Sequence, residues 1–320
     1  MATPFSWLAD RVTLSPRALR WGTTASLIVS VLIVLTGGVV RVTASGLGCP
    51  TWPACDATSI APTPALGIHG LIEFANRVFT GVLIIAVGWA IVAARLQKSR
   101  VRALTRLAWS QFWLVVANAV AGGISVLTGL NPWVVALHFM LAIALLTTTT
   151  LTWHRARQPV VAAPALRPAS SGLSWALAAA TLVLIMVGTL VSGSGPHSGD
   201  SAQVPRMGFV WADVTVFHAV LGTVTLLVAV ALLILLRGDL NGRLARRRVA
   251  FFVVVVVLQG AVGTVQALNG LPEALVAIHL LGAALVWIGA LRVLLDANPG
   301  LFRSRPEPAP VLAGNTAGAR

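Results

Sequence analysis

Four histidines, His69, His138, His218 and His279, stand in long apolar runs. An ionisable side chain there is costly, so it signals a site by default. His138 and His279 close a repeated segment. Leu-Thr-Gly-Leu-Asn-Pro-Trp-Val-Val-Ala-Leu-His (127–138) aligns without gaps to Leu-Asn-Gly-Leu-Pro-Glu-Ala-Leu-Val-Ala-Ile-His (268–279), with six of twelve positions identical. His218 lies 19 residues before Arg237, the first basic residue after its run, and counting 19 back from Arg95 lands on Asn76. One half therefore offers two imidazoles at similar depth, His218 and His279. The other offers His138 facing Asn76, with His69 two turns further out on the face of Asn76.

Two imidazoles projecting inward from different helices of a four-helix unit are what a heme needs: an axial nitrogen on each side and apolar walls over the porphyrin. A bis-histidine iron has no open position and suits electron transfer. An iron held by one histidine keeps a position open for reaction or exchange. Gly81, Gly122, Gly222, Gly263 and Gly282 lie near these positions and would let a flat macrocycle approach the backbone. The competing explanation is inter-helix hydrogen bonding by isolated histidines, which accounts poorly for a repeated pair. Zinc or copper is the other alternative, but no Cys or Met ligand accompanies the histidines. His154 reads as interfacial and His197 as a loop hydrogen-bonder.

Glu73 is one turn from both Asn76 and His69, so the three share a helix face. A carboxylate there needs a partner, Arg77 or His69, and a purely structural Glu73–Arg77 pair is the alternative reading. Asp213, at a helix start, reads as a cap. The only two cysteines, Cys49 and Cys55, share the segment Gly-Leu-Gly-Cys-Pro-Thr-Trp-Pro-Ala-Cys (46–55). In an oxidising compartment such a pair suggests a disulfide, with free thiols or a redox role as alternatives.

The elements that must position these groups are membrane helices. Of 320 residues, 57% are hydrophobic and 10% charged, too few charges for a soluble globular domain. Eight segments approach the length of a spanning helix: 22–40, 70–94, 104–125, 133–153, 173–191, 213–236, 249–266 and 273–291. The formal charge of +14 resolves into topology. Twenty of the 23 basic residues fall before the first run, in the 2–3, 4–5 and 6–7 connections, or after the eighth; only Arg41, Arg77 and Arg206 lie on the other side. Both termini are therefore expected in the cytoplasm of a multi-pass plasma-membrane protein, with the histidines toward the outer face. No basic cluster belongs to a soluble domain, so no nucleic-acid partner is expected. The lipid bilayer is the surrounding partner.

The repeat, with an offset of 141, predicts an all-α membrane protein of two tandem four-helix bundles. Each has an even number of spans, so a pseudo-twofold should run along the membrane normal. The expected segments are an N-terminal stretch 1–21, a first repeat 22–153, a linker 154–172, a second repeat 173–295 and a disordered tail 296–320.

The motif at 46–55, Ile-Glu-Phe-Ala-Asn-Arg at 72–77, and one histidine in each of the fourth, sixth and eighth runs resemble heme A synthase, over about residues 25–295. The resemblance implies oxidation of a methyl group of heme O to formyl, giving heme A for cytochrome c oxidase. It implies that His218 and His279 ligate a resident heme b, that His138 serves the heme O site and that Glu73 acts in the oxidation. Cys49 and Cys55 match a pair that can form a disulfide. Heme O synthase is the implied supplier of substrate, and a homo-oligomer is compatible with the reading. Arg41 and Arg77, near the outer mouth, are expected to meet heme propionates or to act as interfacial anchors.

The chain departs from the pattern in two places. The family's Glu-x-x-His-Arg reads Glu73-Phe74-Ala75-Asn76-Arg77, and the 192–212 loop lacks a second cysteine pair. The substrate site then works with His138 alone, or with His69, about 10 Å further along the helix, as a mobile partner. Two rival classes remain at this point: a diheme b-type electron carrier of the quinol or ferric reductase kind, and a repeat-built transporter.

Overall fold

A computed structural model describes residue 8 and residues 11–158, 166–201, 204–239 and 242–301. Among these the architecture is all-helical, with eight helices long and apolar enough to cross a membrane. They are α1 (Pro16–Val42), α2 (Gly67–Arg95), α3 (Arg102–Leu127), α4 (Pro132–Arg155), α5 (Pro168–Ser194), α6 (Trp211–Leu235), α7 (Arg243–Leu268) and α8 (Glu273–Ala297). Most of the tail, 302–320, and the linker centre, 159–165, lie outside the described residues, as do residues 1–7, 9 and 10.

Local signals fix the starts. Ser15 caps α1 by accepting from the Ala18 N–H at 3.3 Å, and Asn131 caps α4 by accepting from Trp133 at 3.0 Å. Pro16 and Pro132 follow them in the first turn, where a missing N–H costs nothing. Asp213 does not cap. Helix α6 begins at Trp211, and Asp213 sits within its first turn, where a negative charge meets the positive end of the helix dipole.

Within each half the helices form a closed ring: α1–α2–α3–α4 and back to α1, then α5–α6–α7–α8 and back to α5. Between halves α1 meets α8, α4 meets α8 and α4 meets α5. Exchanging α1 with α5 and α4 with α8 maps this pattern onto itself, as a twofold passing between α4 and α8 requires. The shared core there contains Val34, Ile143, Leu146, Ile185, Ala284 and Trp287. Trp287 Nε1 donates to Thr147 Oγ1 at 2.8 Å, pinning α8 to α4. Such a bond is worth about 0.6–2 kcal/mol in a membrane.

The repeat extends to backbone conformation. Gly129 and Leu130 take φ of 60° and 58°, and Gly270 and Leu271 take 72° and 61°. Two successive left-handed residues at equivalent places make one turn, copied twice. A leucine is strained in that region. At position 130 the side chain explains why it is kept: it is buried and packs against the backbone of Gly46 and Gly199.

Candidate functional site

Each of His138, His218 and His279 lies against a glycine of the preceding helix. A Cβ added to Gly122, Gly188 or Gly263 would stand 3.2 Å from the respective Cε1 and 3.7 Å from Nδ1. The ring edge bearing Nδ1 and Cε1 is thus pressed to the neighbouring helix. In His218 and His279 the Nε2 atom lies more than 4 Å from that position. Nδ1 of all three is buried without a hydrogen bond of normal geometry, although the carbonyls of Asn118 and Leu184 interact at longer range with His138 and His218. Asn118 and Leu184 each precede the contacting glycine by four residues. A helix carbonyl faces the residue four places on, so the missing Cβ opens a path from imidazole to carbonyl. In His138 and His218 that arrangement turns the Nδ1 edge toward a backbone carbonyl and leaves Nε2 available to a ligand.

The rings of His218 and His279 have centroids 6.4 Å apart. With imidazole–metal bonds of about 2 Å, and about 1 Å from nitrogen to ring centre, an ion between two rings needs centroids about 6 Å apart. No residue of α6 before Thr225, of α7 after Val256 or of α8 before Ala284 is buried. The halves of these helices nearest the histidines carry apolar residues that no described residue buries. The first half repeats this opening: no residue of α2 between Glu73 and Leu83, or of α4 between Pro132 and Ile143, is buried.

The expected glycines divide by task. Gly122 and Gly263 make room for imidazoles, and Gly282 makes room for the Gln259 amide, which bonds to the His279 carbonyl at 2.9 Å. Gly81 meets nothing within 4 Å, and Gly222 only Leu184 at 4.0 Å, so these two border open space.

In the first half Asn76 turns toward α1, where its Oδ1 accepts from Thr36 Oγ1 at 2.7 Å. His69 is exposed at the outer end of α2, with Nδ1 3.0 Å from Ser45 Oγ. Glu73 is buried, at 6% exposure, and both its oxygens are occupied. Oε1 accepts from Arg77 Nε at 3.1 Å and Nη2 at 2.5 Å, and Oε2 from the Cys49 N–H at 2.7 Å. The remaining donors of Arg77 reach the carbonyls of Cys49, Pro53 and Ala54 at 3.2, 3.4 and 3.1 Å. The pair is therefore both an i,i+4 ion pair and the fastening of the 49–55 loop, which the Cys49–Cys55 disulfide closes. Trp52 of that loop rests on Gly123, where an added Cβ would stand 2.5 Å from its ring.

The outer loops join the halves. Arg41 Nη2 donates to the Ser192 carbonyl at 2.7 Å, and the Gly46 N–H donates to the Gly199 carbonyl at 2.7 Å. The Leu47 N–H reaches Asp200 Oδ2 at 3.3 Å. His197, as expected, is a loop hydrogen-bonder, 2.7 Å from the Leu271 carbonyl. Sequence reasoning missed Gly188, Thr36 and Trp52. A glycine six residues before Ser194 was the only available signal for the first; the other two depend on contacts between distant segments.

Fold and site together define a duplicated, multi-pass helical membrane protein with glycine-backed imidazoles toward one end of each half. The chain belongs to the COX15-CtaA family of cytochrome oxidase assembly proteins, whose sequence pattern matches residues 67–291. It is 34% identical over 126 residues to a protein named heme A synthase in Lysinibacillus sphaericus, covering 38% of this chain and 40% of that one. A heme A synthase of Symbiobacterium thermophilum is 32% identical over 56% of this chain and 60% of its own length. One from an Exiguobacterium species is 28% identical over 72% of this chain and 78% of its own length. The matched region thus spans less than two thirds of the first two relatives.

Proposed function

We propose that this protein is a heme A synthase, oxidising the methyl group of heme O to formyl. The observation that carries the reading is the inequality of two otherwise matched chambers: two imidazoles 6.4 Å apart in the second half, against one imidazole and an amide in the first. His218 and His279 would hold a resident heme b, and His138 the iron of the substrate heme O. When bound, heme b supplies one-electron redox chemistry.

The remaining roles fall to the chain's own residues. The glycine-backed imidazoles orient Nε2 toward each chamber. Asn76, tied to Thr36, leaves the far side of the substrate iron without a strong protein ligand, because an amide is a weak one; His69, held by Ser45, stays at the rim. Glu73 is arranged to hold negative charge. One oxygen faces a guanidinium and the other a backbone N–H, which favours electrostatic stabilisation of positive charge over proton uptake. Arg77 positions Glu73 and the disulfide loop, and contacts a propionate only if one of its present bonds opens. The distribution of basic residues supports a cytoplasmic position for both termini. Heme O synthase is the natural supplier and cytochrome c oxidase assembly the consumer.

The decisive experiment is pyridine-hemochrome analysis of the full chain, purified from cells that make heme O. Heme b with heme O or heme A is expected, and Glu73→Gln should retain heme b while accumulating heme O. Heme b alone in two equivalent sites would favour the diheme carrier, and no heme at all the transporter. Normal heme A formation by Glu73→Gln would remove Glu73 from the mechanism.

A further inference from the structure

At the end of the molecule opposite the histidines, the α2–α3 connection and the first turns of α3 enclose a cavity of about 570 Å³. Four arginines line it, Arg95, Arg100, Arg102 and Arg106, with Trp109 and Trp113 along its wall. A second cavity, about 630 Å³, lies at the start of α7 and is lined by Arg243, Arg246 and Arg247. The repeat offset of 141 carries Arg102 onto Arg243 and Arg106 onto Arg247. The duplication has therefore left an arginine-lined hollow at the same place in each half.

The two hollows differ in what they can hold. In the first, arginines come from the end of α2, the connection and α3, so they surround a ligand. No acidic residue lines it, and Arg95 and Arg106 make no ion pair or side-chain hydrogen bond among the described residues. The guanidinium fork matches a phosphate, which can accept two parallel bonds from it. Trp109 and Trp113 are one helical turn apart and 38% and 63% exposed. Trp113 is 11 residues beyond Arg102, about 16 Å along the helix. The wall therefore runs from the charged layer into the hydrocarbon, so that Trp109 and Trp113 offer apolar ring surface at the depth of acyl chains. In the second hollow Ala250 replaces Trp109, and the arginines come from α7 alone.

We propose that the α2–α3 cavity is a binding site for one anionic phospholipid. Arg95 and Arg106 take the headgroup phosphate, Arg100 and Arg102 complete the rim, and the two tryptophans flank the acyl chains. Basic pockets between membrane helices recognise lipid headgroups in this way. Positive charge alone does not carry the assignment, since neighbouring connections are also arginine-rich. Arginines drawn from three segments and the tryptophan wall do. A soluble phosphate would share the arginines but gain nothing from the wall.

The test uses the full chain, delipidated in detergent and titrated with dioctanoyl phosphatidylglycerol, dioctanoyl phosphatidylcholine or inorganic phosphate, with adducts counted by native mass spectrometry. One phosphatidylglycerol should bind in preference to phosphatidylcholine and resist displacement by phosphate. The double variant Arg95→Gln, Arg106→Gln should weaken binding at least about tenfold. Arg246→Gln with Arg247→Gln, an equal loss of charge, should weaken it much less. Trp113→Ala, at an exposed position that the fold does not need, should weaken the lipid specifically. Circular dichroism and gel filtration confirm folding in each case. Equal losses in the two double variants, displacement by phosphate, or no effect of Trp113→Ala would each overturn the proposal.

Discussion

The two halves are alike where His138 and His279 rest on their glycines and unlike where the helices close. Gln111 in the first half corresponds through the repeat to Phe252 in the second, Thr148 to Gly289 and Thr152 to Val293. Gln111 is fully buried with both ends of its amide engaged. Oε1 accepts from Ser26 Oγ at 2.7 Å, and Nε2 donates to Thr152 Oγ1 at 2.7 Å. Three helices are tied through one side chain. In the second half Phe252 fills the same place dry, packed onto Gly289 among Leu177, Leu232, Val249 and Val293. A buried amide is tolerable only with its partners, whereas a phenyl ring needs only volume. Duplication thus kept the glycine–histidine contact and let the floors beneath it diverge. One became a directional polar tie and the other an apolar plug under the bis-imidazole chamber.

Substitutions that exchange features between the halves test this comparison. The largest effect is expected from His279→Ala, which should abolish the heme b signal in the pyridine hemochrome of the purified protein, while His138→Ala leaves the resident heme in place. Loss of that heme from His138→Ala, measured by hemochrome, would mean that the halves are not independent sites. Phe252→Gln comes next. It buries an amide where the counterparts of Thr148 and Thr152 are Gly289 and Val293, and should cost about 2–4 kcal/mol in thermal unfolding. Gln111→Leu removes its tie more gently, by about 1–2 kcal/mol; equal costs for the two would deny that the floors differ.

Asn76→His should make the first chamber resemble the second. The substrate heme would become six-coordinate and low-spin by electron paramagnetic resonance, as two imidazoles at one iron require. An unchanged spin state would show that residue 76 does not face the iron. The smallest effect belongs to Gly263→Ala. A methyl 3.2 Å from His279 Cε1 needs a shift of a few tenths of an ångström, partly offset by up to about 1 kcal/mol of helix propensity. The heme should be retained with a displaced reduction potential. Gly88→Ala, whose added Cβ meets nothing, is the control.

The sequence carried the fold because its signals are local and repeated. Eight apolar runs, the Pro and Asn at their starts and the 127–138 and 268–279 copies each announce themselves within a dozen residues. The same holds for the i,i+3 and i,i+4 grouping of His69, Glu73, Asn76 and Arg77. What the sequence concealed depends on distant partners. Nothing near Glu73 states that its second oxygen takes the Cys49 N–H. Nothing near Gly188 states that it backs His218, and Gln111 reads as one polar residue in a span until Ser26 and Thr152 arrive from other helices. Charge placement, by contrast, is a whole-chain pattern and was legible without any contact.

The strained Leu130 has a consequence for biogenesis. Its side chain is gripped between Gly46 and Gly199, and Gly199 is synthesised 69 residues later. Four helices of the first half can be in the membrane while the last piece of their outer roof is still on the ribosome. The packing around Leu130 is thus completed only after α5 has been made, so this join between the halves forms late in synthesis.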